Sequence, residues 1–153
     1  MTDAHTISIR LARLDEKAFL DELQQRSSLA NPGDREFLLA NPDIGLIPPQ
    51  QIEQGFVFVA ESGGVVVGLV ALQKYDAPDM ELDGLFVEPA LFRRGIGRRL
   101  VNHAIDFCRA RGARKIVLFA NPHALEFYLA INFEKTGYIE IDHNRAVVMV
   151  LKL

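Results

Sequence analysis

Two groups of residues have types and spacings that can do chemistry. The first is Gly95-Ile96-Gly97, set among Arg93, Arg94, Arg98 and Arg99, with Glu88 the last acid before it. Glycines at a helix start let backbone N–H groups approach an anion, and the positive end of the helix dipole favours a phosphate there. A run of four arginines inside a chain of formal charge −3 marks the same place as an anion site. The competing reading is a plain helix start with solvated arginines. The second group is Glu81 and Asp83, which are two residues apart and so share one face of a strand unless a bulge intervenes. A carboxylate there can take a proton from a substrate, and the competing reading is a pair of ordinary polar strand residues.

Other chemistries lack their residues. No Gly-x-x-x-x-Gly-Lys-Ser/Thr is present, and no third glycine completes a dinucleotide fingerprint after Gly97. No serine sits in a Gly-x-Ser-x-Gly elbow. His5, His103, His123 and His143 are scattered without ligand spacing, so no metal is expected. His123, two residues after Asn121, is a surface helix-start residue or a contact for substrate or cofactor. The lone Cys108 excludes an internal disulfide and reads as a core residue rather than a nucleophile. Asp76, Asp79, Glu81 and Asp83 place four acids within eight residues, which would attract a cationic amine or simply solvate a turn.

The elements that must position these residues follow from periodicity. Residues 7–12 alternate as a half-buried strand, and Ala18, Phe19, Leu20, Leu23 and Leu29 give a helix over 15–29, stopped by Asn31-Pro32-Gly33. A second helical piece is expected over 34–40, an irregular connection over 41–49 and a short helix over 49–54. Residues 56–60 and 65–72 read as a hairpin turning at 61–64, and 80–87 as a strand ended by Glu88-Pro89. Residues 95–111 carry Ile96, Leu100, Ala104, Phe107 and Cys108 on one stripe and end at Gly112. A strand over 115–120, a proline-started helix over 122–130 and strands over 134–141 and 145–153 complete the chain. This order predicts an α/β fold with a mixed sheet and helices on both faces.

A length of 153 residues, 49% of them hydrophobic, fits one domain over 1–153, with no internal repeat or linker. The balance of 17 basic against 20 acidic residues argues against nucleic acid or anionic membranes as partners. The single cysteine, the lack of an apolar core in residues 1–10 and the lack of any run of membrane-span length predict a cytoplasmic protein.

Residues 81–100 resemble the acetyl-coenzyme A binding motif of the GNAT acetyltransferases. The match is Leu85-Phe86-Val87-Glu88-Pro89 followed by Gly95-Ile96-Gly97. Phe92 departs from the motif's Gln or Arg, so any side-chain role there passes to Arg93 or Arg94 or is lost. Asn121-Pro122-His123-Ala124-Leu125-Glu126-Phe127-Tyr128 resembles the family's Asn-x-x-Ala-x-x-Phe-Tyr block. Asn132-Phe133 replaces the Gly-Phe that normally follows, and asparagine tolerates the left-handed helix end.

The resemblance implies a single GNAT domain with a mixed, mostly antiparallel twisted sheet of about six or seven strands. It implies acetyl-coenzyme A as co-substrate and no metal, with the pyrophosphate on the backbone at Arg94, Gly95, Ile96, Gly97 and Arg98. Pantetheine would pair with the strand edge at Leu85, Phe86 and Val87, and Arg93, Arg99, Asn121 and Tyr128 complete the cofactor set. It also makes Tyr128 the general acid toward the leaving thiolate, while helical spacing makes Phe127 a core residue. The acceptor amine needs a base, for which Glu81 is the first candidate, directly or through a water, beside Asp83. Transfer would run directly in a ternary complex to a primary amine. The rivals are a non-catalytic coenzyme A sensor and a protein or peptide N-acetyltransferase. A homodimer through exposed strands remains open.

Overall fold

In a computed structural model of the chain, which describes residues 6–30, 39–40, 46–141 and 144–153, the strands form one seven-stranded sheet of order β1-β2-β3-β4-β5-β7-β6. The strands are β1 (Ile7–Leu11), β2 (Val57–Ser62), β3 (Val65–Lys74), β4 (Met80–Val87), β5 (Lys115–Ala120), β6 (Glu134–Ile141) and β7 (Asn144–Lys152). The helices are α1 (Lys17–Leu29), α2 (Pro49–Glu53), α3 (Ile96–Ala110) and α4 (Leu125–Ala130). β4 and β5 are parallel, whereas β1–β2, β2–β3, β5–β7 and β6–β7 are antiparallel. The helix expected over 34–40 falls mostly outside the described residues, where only Leu39 and Ala40 are seen, in helical conformation. The connection expected over 41–49 is described only from residue 46.

The chain divides into two compact units, one of Met1–Ala71 with Gly84–Ala104, the other of Leu72–Asp83 with Ile105–Leu153. In the first, Leu20, Leu23, Ile52, Val57, Val59 and Leu69 build a core against which Phe86 packs. The buried stripe of α1 is Leu20, Leu23, Gln24 and Ser27, so two polar residues occupy it while Phe19 stays 40% exposed with the Arg26 guanidinium 5.9 Å from its ring. The β2–β3 turn is shorter than expected. Gly63 and Gly64, at φ 57° and 81°, make it alone, because two left-handed residues match the twist of paired strands and let both run on to the turn. Arg10, on β1, is half-buried rather than solvated, because its guanidinium bonds both Glu16 and Glu61 at 2.7 Å.

Gly68 sits in the middle of β3 for a packing reason. A Cβ there would lie 3.0 Å from Leu100 Cδ1, 3.2 Å from the Phe86 carbonyl oxygen and 3.3 Å from Ile96 Cγ2. The missing side chain therefore lets the first turn of α3 settle on β3. Gly68→Ala is expected to cost about 1–3 kcal/mol, since a fixed carbonyl and two core side chains must yield. Thermal unfolding measures it, and an unchanged Tm would refute the tight fit.

In the second unit, Ile116, Leu118 and Met149 are buried, and Gly112, at φ 82°, ends α3 by donating its N–H to the Arg109 carbonyl. Asp79 is buried, and its Oδ1 accepts from the N–H groups of Arg114 at 2.8 Å and Lys115 at 3.2 Å. These bonds to the charged form hold its carboxyl below the usual carboxylate range. A depressed carboxyl contributes stability that is full above the unfolded value, ~3.9, and is lost as pH falls through the lower native one. Asp79→Ala should therefore lower Tm at neutral pH, with the difference narrowing only below about pH 4. A difference independent of pH would show that the charge is immaterial.

Candidate active site

The glycine and arginine segment forms a shaped loop. β4 leads through a 3-10 turn at Pro89–Leu91 to Arg93 and Gly95, at φ 65° and 82°, immediately before α3. Only Arg93 and Gly95 have positive φ here, so handedness alternates across Arg93, Arg94 and Gly95, an arrangement that turns successive N–H groups into an anion-binding concavity. Arg99 N–H donates to the Gly95 carbonyl at 3.1 Å as the first bond of the helix. The N–H groups of Ile96, Gly97 and Arg98 thus belong to the first turn, which has no preceding carbonyls in the helix. Nothing lies within 4 Å of a Cβ on Gly95, so its backbone angle, not crowding, requires glycine.

The side chains around this loop divide. Arg93, Arg94 and Arg98 are exposed, whereas Ile96 is buried, leaving its backbone as its contribution. The Arg99 guanidinium donates to the Ile7 carbonyl at 2.8 Å, tying the helix to β1. Leu85, Phe86 and Val87 are half-buried on β4, and the parallel register with β5 covers Met80 and Glu81, opposite Ile116 and Val117. A Cβ on Gly84 would meet the Phe86 ring at 2.7 Å, so the glycine makes room for that ring. The Glu88 carboxylate takes a two-pronged bond from Arg26 at 2.9 and 3.1 Å, anchoring α1 to the strand exit with about 0–1 kcal/mol expected for so exposed a pair.

In the second unit Glu81 and Asp83 do share a face, with Gln73 beside both. Gln73 Nε2 donates to Asp83 Oδ1 at 3.4 Å. Glu81 is half-buried and Asp83 exposed, while the intervening Leu82 is buried. Burial raises the Glu81 carboxyl above its ordinary value; the Gln73 amide opposes this and the Asp83 charge adds to it. The four acids do not act as one cluster, because Asp79 is occupied with the backbone of residues 114 and 115.

Tyr128 on α4 is 7% exposed, and its ring stands edge-on to Phe127 at 5.0 Å and Phe133 at 5.5 Å. Burial pushes its phenol well above the ordinary value. Phe127, expected in the core, is instead 37% exposed, because α4 is a short helix that turns Tyr128 inward and leaves its neighbour outside. Asn121 caps the turn at Pro122–Ala124, accepting the His123 N–H at 3.0 Å, and Asn132 adopts φ 75° as foreseen. Cys108 is fully buried and its thiol is pushed up to about 11 by burial, which leaves it inert.

Sequence reasoning missed Gly68, Gln73 and the Arg26–Glu88 pair. An isolated glycine inside a β-branched run is a signal for close backbone approach. A polar residue at a strand end carries none. Among the described residues no group of three or more side chains could hold a metal, and no helix is long and apolar enough to cross a membrane.

Comparison with known proteins shows the fold and the family. The chain is 37% identical over 99 residues to an N-acetyltransferase of Methanocaldococcus jannaschii, covering 58% of this chain and 42% of that one. It is 33% identical over 81 residues to the N-alpha-acetyltransferase RimI of Mycobacterium tuberculosis, covering 51% of each. It thus spans about half the length, or less, of these curated relatives. The fold matches the PaiA N-acetyltransferase of Thermoplasma acidophilum, solved with coenzyme A, at TM-score 0.79 and 18% identity, covering 97% of this chain and 99% of that one. It matches Ard1 of Thermoplasma volcanium at TM-score 0.74 and 19% identity, over 96% and 97%. The acetyltransferase (GNAT) family model matches residues 18–133, and the chain belongs to that family.

Proposed function

We propose that residues 1–153 act as one transferase domain that moves an acetyl group from acetyl-coenzyme A to a primary amine in a ternary complex. The observation that carries this reading is the loop before α3, where alternating handedness at Arg93, Arg94 and Gly95 meets the bare first turn of a helix. Backbone N–H groups of residues 94–98 would hold the pyrophosphate, with Arg93, Arg94 and Arg98 adding charge. The edge of β4 at Leu85, Phe86 and Val87, beyond its register with β5, would pair with pantetheine. Arg99 and Asn121, engaged with Ile7 and His123, contribute chiefly by positioning the helix and the turn.

Acetyl-coenzyme A supplies the acyl group as a thioester. Glu81 accepts a proton from the acceptor ammonium, directly or through a water, so that the nitrogen lone pair can attack the carbonyl carbon. A backbone N–H near residues 85–87 stabilises the oxyanion. As the C–S bond breaks, Tyr128 offers its phenolic proton to the departing sulfur. Asp83 favours a cationic acceptor by charge. The name of the M. tuberculosis relative, an N-alpha-acetyltransferase, favours an α-amine as one class to include.

Thiol release from acetyl-coenzyme A against peptides with free α-amines, lysine, polyamines and neutral amines tests the reading, with coenzyme A binding measured in parallel. Turnover with at least one class is expected. Binding without turnover on every amine would favour a sensor, and no binding would refute the loop assignment.

A further inference from the structure

Gln73 begins the exposed C-terminal end of β3 and bonds to Asp83 on β4. The Tyr75 N–H donates to the Asp79 carbonyl at 3.1 Å, and extending that antiparallel ladder by two residues sets Gln73 across from Glu81. Its Nε2 donates to Asp83 Oδ1 at 3.4 Å, and its place across from Glu81 sets the same amide beside that carboxylate. We propose that Gln73 is a positioning residue that bridges Glu81 and Asp83 and sets the pH above which Glu81 accepts the amine's proton. The proposal rests on the reading of Glu81 as base given above.

The chemistry favours an amide here over other side chains. Two carboxylates on one strand face repel, and the half-buried Glu81 would otherwise relieve that repulsion by holding its proton. A carboxamide presents two N–H donors, one for each carboxylate, and carries no charge that would cancel the pair's attraction for a cationic acceptor. The next residue, Lys74, falls on the opposite face by the alternation of the strand. Among the described residues packed beside Glu81, β3 offers Gln73 and β5 offers Val117, its register partner. The charge acting on Glu81 is that of Asp83, on its own strand.

The test titrates the Glu81 and Asp83 carboxyls by carbon NMR in the full chain, native and as Gln73→Met, alongside the pH profile of kcat/KM with an amine found active. Gln73→Met keeps length and removes both donors, and Gln73→Leu is a second variant should the first disturb folding. Loss of the donors should move the Glu81 midpoint to higher pH and carry the acid limb with it, lowering kcat/KM on that limb by about threefold to tenfold and leaving the plateau unchanged. A Glu81 midpoint that stays in place in both variants overturns the proposal. So does an equal loss at every pH with an unmoved limb, which is what mere structural damage produces. If Glu81→Gln is as active as the native chain, the base assignment falls, and the carboxyl titration then judges the bridge alone, a rise supporting it and no change overturning it.

Discussion

Tyr128→Phe is expected to lower kcat/KM by about a hundredfold to ten-thousandfold while leaving coenzyme A binding nearly unchanged. Phenylalanine keeps the ring that packs edge-on against Phe127 and Phe133, so the fold loses only the phenolic oxygen. Burial raises the phenol above its ordinary value of ~10, further from the ~8.5 of a free thiol. Complete transfer of the proton to the thiolate is therefore uphill, and the phenol acts mainly by hydrogen-bonding the sulfur as its charge develops, which places the effect toward the lower end of that range. The loss should be the same at every pH, because the phenol keeps its proton throughout the working range. Steady-state thiol release and calorimetric binding give both quantities. A variant within threefold of the native chain would remove Tyr128 from the chemistry.

Glu81→Gln is expected to reduce kcat/KM by about a hundredfold or more and to abolish the acid limb of its pH profile. Activity of the native chain should disappear as pH falls through the raised Glu81 value, since only the carboxylate accepts a proton. The stability effect has the opposite sign. A carboxyl raised by burial contributes stability that is present below its unfolded value and is lost as pH rises through the native one. At neutral pH the glutamine variant should consequently match or slightly exceed the native chain in Tm while being catalytically poor. A variant that is both inactive and markedly less stable would point to a structural role, and one that keeps its acid limb would move the base elsewhere.

Much of the site was legible because local rules govern it. Glycines and arginines at a strand-to-helix junction announce an anion loop, and the structure adds that Arg93 as well as Gly95 takes the left-handed backbone. Gly63-Gly64 and Asn132 behaved as their backbone preferences require. Errors arose where the identity of a buried face was at stake. Phe19 and Phe127 are apolar and exposed, whereas Gln24, Ser27 and Asp79 are polar and buried. Helical or strand spacing shows that residues share a face, but not which face meets the core.

The sequence by itself determined the family motifs, the order of strands and helices, and the residue types available for binding and proton transfer. Only the tertiary structure decided what those residues are chemically. Burial raises the Glu81 carboxyl, two backbone N–H groups lower that of Asp79, and full burial raises the Cys108 thiol. Desolvation and hydrogen bonding depend on groups remote along the chain, such as the backbone of residues 114 and 115 beside Asp79, and no local pattern encodes them.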